Sequence, residues 1–330
     1  MPKSKFKHQE KNAILISLIV GLLLMIIKFT AYYLTNSKAI LTDAAESIVN
    51  VVSAAFATYS VYISSRPKDI LHPYGYGKVS FFSSGIEGIL IVTAGVLMIF
   101  PAILSIIDHE EVMAIDNGLY LVALTMLING GVGYYLLNKG KKTRSIILEA
   151  DGKHLLTDAI SSMALIVGLF IVKFTQSPYV DGILALILAI FIIYSGIKIL
   201  KKSVDGLMDM LDVETVTHLI EILNKNRRNE WIDVHNFRVQ KYGADIHIDC
   251  HITLPYYLSL EQAHDQVVLF EDIMHRNYPS EVEVFIHSDP CLPECCHYCQ
   301  ILDCQVRKEP FTGQIEWTSE KLLQNAKHFD

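Results

Sequence analysis

Six long apolar stretches constrain this chain more than any other feature of its sequence. They lie at about residues 13–34, 39–64, 81–107, 118–137, 147–174 and 180–200. A helix of roughly 20 apolar residues is long enough to cross the hydrocarbon core of a bilayer. With 51% hydrophobic and only 19% charged residues, the chain is also too apolar for an ordinary soluble domain. The sequence therefore predicts an α-helical membrane protein with a bundle of six transmembrane helices.

Basic residues indicate the orientation of these helices. They cluster before the first stretch, between the second and third, between the fourth and fifth, and after the sixth. In that order, the four groups are Lys3, Lys5, Lys7 and Lys11; Arg66, Lys68 and Lys78; Lys139, Lys141, Lys142 and Arg144; and Lys201 and Lys202. The other loops hold Lys38, Lys173 and the acidic residues Asp108, Glu110 and Glu111. Because short basic loops stay on the cytoplasmic side, we expect both termini in the cytoplasm. The plasma (inner) membrane is the expected location.

After about residue 205 the pattern becomes that of a soluble domain. Helical periodicity covers 213–228 and 259–277, and alternating residues indicate strands at 232–240, 245–254 and 281–287. The order αββαβ predicts a small α+β domain with two helices on one face of a sheet. We therefore divide the chain into an N-terminal tail (1–12), a transmembrane domain (13–204), a cytosolic domain (205–290) and a Cys-rich tail (291–330). Without a ligand, we expect that last segment to be poorly ordered.

Two of the apolar stretches carry ionisable residues at helical spacing. Asp43, Glu46 and Asn50 share one face of the second helix, and His154 and Asp158 share one face of the fifth. Ionisable groups are expensive in hydrocarbon, so they usually face a cavity and act there. Together they offer the nitrogen and oxygen donors that suit Zn²⁺ or a neighbouring transition metal. The alternative is a set of hydrogen bonds that only hold the helices together.

With these residues in view, the chain resembles the cation diffusion facilitator family over about residues 10–290. The resemblance implies a homodimer with six transmembrane helices and a cytosolic metallochaperone-like (ferredoxin-like) domain, which exchanges a divalent cation for protons. The family's transport site joins Asp-x-x-x-Asp on helix two to His-x-x-x-Asp on helix five. His154 and Asp158 match the second motif, whereas Glu46 and Asn50 replace the carboxylates of the first. Asp43, one turn outward, is a further candidate ligand.

The loop after the second helix resembles another metal site of the family. Asp69 and His72 match that site, and Tyr76 stands where the family often has a second histidine. The alternative is a loop that simply packs on the cytosolic domain. The resemblance also implies a salt bridge between Lys78 and Asp209 that ties the membrane domain to the cytosolic domain.

The cytosolic domain matches family positions that bind a regulatory metal between protomers. They are His235, His251, His264, His287 and Asp289. One histidine at such a position would more often be an ordinary surface residue, but five matching positions favour a metal site.

The tail contains a compact group of cysteines. Five of the six cysteines fall within a few residues of one another, at Cys291, Cys295, Cys296, Cys299 and Cys304, and the sixth is Cys250. In a reducing cytoplasm such a group binds metal more often than it forms disulfides. The spacing suits a thiolate site for Zn²⁺ or a softer ion, and an iron–sulfur cluster is the alternative.

These observations predict proton-coupled efflux of a divalent transition metal from the cytoplasm. Zn²⁺, Fe²⁺, Mn²⁺, Co²⁺, Ni²⁺ and Cd²⁺ all fit the donor set. The first alternative is a metal-sensing membrane protein that binds but does not transport. A membrane-embedded metalloenzyme would need an open coordination position and a general base near the metal. Because no motif in the sequence indicates a substrate pocket, we expect no enzyme. The net charge of −7 and the lack of a basic stripe argue against nucleic acid as a partner.

Overall fold

The computed structural model describes residues 3–64, 66–108, 115–143, 146–175, 177–242, 245–278 and 281–328. It divides into two compact units, Met1–Leu207 and Met208–Asp330. The first unit corresponds to the predicted membrane domain, and the second joins the predicted cytosolic domain to the Cys-rich tail.

The first unit contains six long helices, as the apolar stretches predict. They are α1 (Lys3–Thr35), α2 (Lys38–Ser64), α3 (Val79–Asp108), α4 (Ile115–Thr143), α5 (Ile146–Thr175) and α6 (Pro178–Leu207). All six are long and apolar enough to cross a membrane. The helices extend past the apolar stretches at both ends because the polar residues that flank a span can continue a helix. The basic segment before the first span is therefore mostly part of α1.

Glycines let the helices of the membrane unit approach closely. A Cβ added to Gly88 of α3 would lie 2.8 Å from the backbone nitrogen of Leu200 in α6. One added to Gly152 of α5 would lie 2.5 Å from the nitrogen of Leu137 in α4. Such close approach is a usual basis of helix association in membranes, where lipid competes with any apolar contact. The α3–α6 and α4–α5 pairs are accordingly the most extensive helix contacts, and α2 reaches α5 among its other neighbours.

The second unit begins with the predicted αββαβ order. Its elements are α7 (Val213–Lys225), β1 (Asp233–Tyr242), β2 (Asp245–Leu254), α8 (Leu260–Asn277) and β3 (Val282–Pro290). The sheet order is β1-β2-β3, with β1 antiparallel and β3 parallel to β2. Asp212 caps the first turn of α7, and Ser259 forms a capping box with Gln262 at the start of α8. The apolar faces of the helices and strands form one core, which includes Trp231, Phe237, Phe270 and Met274.

The tail does not meet the expectation of poor order, because it packs on this core. It forms a short 3-10 helix (Pro293–His297) and a short helix α9 (Ser319–Leu322). Trp317 and Tyr298 are almost fully buried in the same core as the strands. Arg307 donates hydrogen bonds to the carbonyl oxygens of Cys299 and Ile301, which fixes the turns between them. The sequence pattern missed this packing because the tail's few apolar side chains have no regular period.

Candidate metal sites

A hydrogen-bonded network in the membrane unit joins α2 to α5. The Asn50 Nδ2 atom donates to Asp158 Oδ2 over 2.7 Å, and Asn50 Oδ1 lies 3.1 Å from His154 Nε2. His154 Nε2 is 3.9 Å from the same Asp158 oxygen. Three of the four residues aligned with the family's transport motif therefore meet at one point. The helical spacing of the motif explains this, since it places both residues of each pair on one face.

The network also fixes where a proton lies. Because the Asn50 amide nitrogen donates to Asp158, its oxygen faces His154 as an acceptor. His154 Nε2 must then be the donor and carry a hydrogen. A metal ion that binds Nε2 has to displace this proton and move the Asn50 amide.

Glu46 lies one turn before Asn50 on α2 and lines a small neighbouring cavity of about 10 Å³ together with Asp43, Ser161 and Leu165. The structure does not bring Glu46 into the hydrogen-bonded network itself. Its place beside the network keeps it available as a fourth donor.

Asp43 has a different partner. Lys28 of α1 reaches it with an Nζ–Oδ1 distance of 2.8 Å, and only 2% and 5% of the two side chains are exposed. The other oxygen of Asp43 is buried and has no hydrogen-bond partner within the described part of the chain. We interpret Asp43 as the counter-ion of Lys28 rather than as a metal ligand.

The loop between α2 and α3 places Asp69 and His72 together. His72 Nδ1 lies 3.1 Å from Asp69 Oδ1, and the Tyr76 hydroxyl donates to Asp69 Oδ2 over 2.5 Å. Asp69 Oδ1 also accepts the backbone N–H of His72. The Tyr76 hydrogen bond, followed by those from His72, lowers the pKa of Asp69 to about 2. Asp69 and His72 therefore lie together and offer two possible ligands, and the loop metal site stays a prediction.

Three histidines form a row across the cytosolic sheet. His235 of β1 pairs with His251 of β2, which pairs with His287 of β3. Neighbouring ring centroids are 5.1 and 4.7 Å apart. Asp289 follows on the same face of β3, and its Oδ2 lies 3.4 Å from His235 Nε2 and 3.1 Å from His251 Nδ1.

Within the described chain, His235, His251 and Asp289 are the one set of three His, Cys, Asp or Glu donors that all lie within 4.8 Å of one another. His287 Nε2 is 3.6 Å from the other oxygen of Asp289, so it can join them by a small movement. His264 lies on the exposed surface of α8 and is not part of this group. The predicted Lys78–Asp209 salt bridge would join the two units and stays a prediction.

Sequence reasoning missed two residues behind this group. Asp233 lies two residues before His235, with 3.4 Å between Asp233 Oδ2 and His235 Nδ1. His328, near the end of the chain, contacts the other Asp233 oxygen through Nδ1 at 2.8 Å. Burial alone would raise the pKa of Asp233, but its contacts with His235 and His328 lower that pKa to about 2. A carboxylate next to a histidine ligand commonly orients its ring. The alternation along β1 could have indicated that Asp233 lies on the same face as His235. No local pattern could have indicated His328.

All five tail cysteines line one cavity of about 300 Å³ in the cytosolic unit. Burial raises the pKa of the Cys291 and Cys299 thiols. The five sulfurs are not drawn together, since no set of three is among the close donor groups of the described residues. Cys250 lies apart from this cavity, buried in β2.

Six helices long enough to cross a membrane, a polar network between α2 and α5, and a separate αββαβ unit are features typical of a membrane transporter. Comparison with known proteins agrees. Residues 14–208 match the cation efflux transmembrane domain, and residues 211–291 match the cytoplasmic domain of cation efflux proteins. The chain therefore belongs to the cation diffusion facilitator family, a family of transporters rather than enzymes.

Characterised and uncharacterised relatives cover most of the chain. The manganese efflux system protein MneP of Bacillus subtilis is 26% identical over 298 residues, which are 88% of this chain and 99% of the relative. An uncharacterized transporter of Methanocaldococcus jannaschii is 31% identical over 78% of this chain and 90% of its own length. The cation-efflux pump FieF of Serratia proteamaculans is 23% identical over 87% of this chain and 95% of its own length. Residues 292–330, which include four of the five tail cysteines, lie beyond both family matches.

Proposed function

We propose that this protein exports a divalent transition metal from the cytoplasm across the plasma membrane in exchange for protons, with both termini in the cytoplasm. The observation that carries the proposal is the network of Asn50, His154 and Asp158, which places nitrogen and oxygen donors from two helices at one point inside the membrane unit. An aqueous surface would not require such a network, but hydrocarbon makes unpaired polar groups expensive.

The exchange follows from what these side chains can bind. A cation arriving from the cytoplasm displaces the His154 proton and the Asn50–Asp158 hydrogen bond, and Glu46 completes the donor set. The helices then rock to expose the site on the other side. Protons return to His154 and to the carboxylates and release the metal, since its ligands must be deprotonated to bind it. His154 suits this role because its ordinary pKa lies near neutral pH.

The donor set favours a hard cation. Two carboxylates and an amide oxygen outnumber the single imidazole, and oxygen-rich sets suit Mn²⁺ better than the nitrogen- and sulfur-rich sets that suit Zn²⁺. The name of the Bacillus subtilis relative records manganese efflux. We therefore propose Mn²⁺ as the first cation to test, followed by Fe²⁺, Zn²⁺, Co²⁺, Ni²⁺ and Cd²⁺.

The cytosolic unit supplies the proposed regulation. His235, His251 and Asp289 offer three ligand atoms within 4.8 Å of one another, which supports a metal site there. Its match to the family's cytoplasmic domain supports a homodimer in which metal binding at this site tightens the association of the two protomers. His287, and His264 from α8, are further proposed ligands across that interface.

The test is metal-driven proton movement in vesicles that contain the purified protein. We expect Asp158→Asn and His154→Ala to reduce the flux more than about tenfold, because each removes a ligand. Thr157→Val is the matched control, since Thr157 lies between them on the exposed side of α5. Control-like flux in both variants would refute the site. Metal binding to the wild-type protein without any flux would instead support the metal-sensing alternative.

A further inference from the structure

The cavity in the cytosolic unit is walled by a set of groups that the transport cycle does not use. Five cysteines surround it, together with Tyr256, Tyr257 and other apolar side chains, and Arg307 and Lys308 stand at its wall. Its volume of about 300 Å³ is far larger than a single metal ion needs. The residues of the tail that form it are held in place by their own hydrogen bonds, so the cavity is a built feature of the domain.

Two of the sulfurs accept backbone hydrogen bonds. The Tyr256 N–H donates to Cys291 Sγ over 3.4 Å, and the Lys308 N–H donates to Cys296 Sγ over the same distance. Hydrogen bonds of this kind stabilise thiolates that bind metal and tune iron–sulfur clusters. The positive charges of Arg307 and Lys308 at the cavity wall favour the negative charge that a thiolate complex carries.

The spacing of the sulfurs argues against a single tetrahedral ion. Four thiolates around one Zn²⁺ stand about 3.8 Å apart, because each Zn–S bond is about 2.3 Å long. In the described chain no three cysteine sulfurs lie within even 4.8 Å of one another, whereas the His/Asp group on the sheet meets that limit. The four thiolates around a [4Fe–4S] cluster stand farther apart, since each binds a separate iron atom, and those around a [2Fe–2S] cluster are close together only in pairs.

Disulfides are also a poor explanation for these cysteines. All six cysteines are free in this structure. Five thiols that converge on one cavity also leave an odd sulfur after any pairing, and the proposed cytoplasmic location is reducing.

We propose that this cavity holds an iron–sulfur cluster bound by four of the five thiolates of Cys291, Cys295, Cys296, Cys299 and Cys304. The cluster is a cofactor of the cytosolic unit, separate from the transported cation. It fastens the tail to the domain and places a redox-active group two residues after Asp289 in the chain, next to the proposed regulatory site.

The experiment uses the full chain, expressed in iron-replete cells and purified without oxygen in detergent. We measure iron, acid-labile sulfide, zinc and visible absorbance per protein, before and after anaerobic reconstitution with Fe³⁺ and sulfide in the presence of a thiol. Sulfide is the decisive quantity because iron alone could be bound as a transport substrate. We expect near-stoichiometric cluster iron with matching sulfide and a broad visible absorbance band that bleaches on reduction.

Two variants make the result specific. Cys296→Ser combined with Cys304→Ser leaves three thiols at the cavity, and we expect cluster sulfide to fall more than about tenfold. Cys250→Ala is the matched control and should keep the wild-type content, because that cysteine lies outside the cavity. Tryptophan fluorescence from Trp231 and Trp317, both in this unit, checks that each variant is folded. Zinc without sulfide, no cluster after reconstitution, or equal sulfide in the double variant would each overturn the proposal.

Discussion

The buried pair of Lys28 and Asp43 gives the sharpest test of how the membrane unit is held together. The perturbation is Lys28→Met, which keeps the length of the side chain and removes its charge. Because only 2% of the lysine and 5% of the aspartate side chain are exposed, water cannot replace the lost ammonium group. The second oxygen of Asp43 already lacks a hydrogen-bond partner among the described residues, so the carboxylate would be left fully unpaired.

The expected magnitude follows from that geometry. Removing one partner of a buried ion pair typically costs about 3–5 kcal/mol, because it leaves an uncompensated charge in a low dielectric. Removing both charges is often neutral. We therefore expect Lys28→Met to lower the free energy of unfolding of the membrane unit by about 3–5 kcal/mol, and Lys28→Met combined with Asp43→Leu to restore it to within about 1 kcal/mol.

The chain offers a matched control in the ion pair of Lys173 and Asp116. It also joins two helices of the membrane unit, but 43% and 65% of its side chains are exposed. Surface pairs contribute only about 0–1 kcal/mol, so Lys173→Met should have a small effect. Equilibrium unfolding in mixed micelles is followed by far-ultraviolet circular dichroism, which the long helices dominate. Tryptophan fluorescence follows the cytosolic unit separately, because Trp231 and Trp317 both lie there.

Two results would refute this reasoning. If Lys28→Met and Lys173→Met shift the helical transition equally, burial does not make the Lys28–Asp43 pair important. If the double variant is no more stable than Lys28→Met alone, the loss comes from packing of the lysine stem rather than from the unpaired carboxylate. A shift in the fluorescence transition would mean that Lys28→Met destabilises the cytosolic unit rather than the membrane unit.

Two further predictions concern selectivity and regulation. Asn50→Asp should strengthen Zn²⁺ binding, because a carboxylate is a better ligand for Zn²⁺ than a neutral amide, and should change the metal preference or the number of protons exchanged per metal; an unchanged metal profile and ratio would place Asn50 outside the coordination shell. Zn²⁺ at about 100 times its dissociation constant should tighten the dimer of residues 208–330 about 100-fold for each bound ion if only the dimer binds it. His251→Ala should abolish that effect and the exposed His275→Ala should not, as sedimentation equilibrium would measure; equal dimer constants with and without Zn²⁺ would contradict the proposed regulation.

The sequence alone predicted the features that depend on local periodicity. The six helices follow from apolar length, and the αββαβ order follows from the change of period after residue 205. Spacing also places His154 and Asp158 on one face of α5, because residues four apart share a helix face. The family resemblance implied that this face meets Asn50, and the structure shows that α2 contacts α5. The row of His235, His251 and His287 follows in the same way from strand alternation once the register is known.

Features that depend on contacts between distant segments could not be predicted. A lone lysine in an apolar helix can extend its charged end to the membrane surface or pair with an acidic residue. The position of Lys28 in the sequence does not indicate which of these it does or which residue would be its partner. The structure gives Lys28 a partner 15 residues away. His328 likewise reaches Asp233 across 95 residues. The irregular tail carries no period, so neither its order nor its cavity could be foreseen.

The charges inside the membrane unit connect these results to the transport cycle. The family motif has a carboxylate where this chain has Asn50, and Lys28 pairs with Asp43, so Glu46 and Asp158 are the carboxylates left in the proposed donor set. Glu87 and Asp151 also act on His154 and Asp158 but are not proposed ligands. Glu46 and Asp158 together balance the two positive charges of a divalent cation. The unloaded carrier must cross the same low-dielectric region, where unbalanced charge is expensive, so it should return with about two protons for each metal exported. We therefore expect the Lys28–Asp43 pair to lower this ratio without touching the metal, because it removes from the proposed site a carboxylate that would otherwise take up another proton.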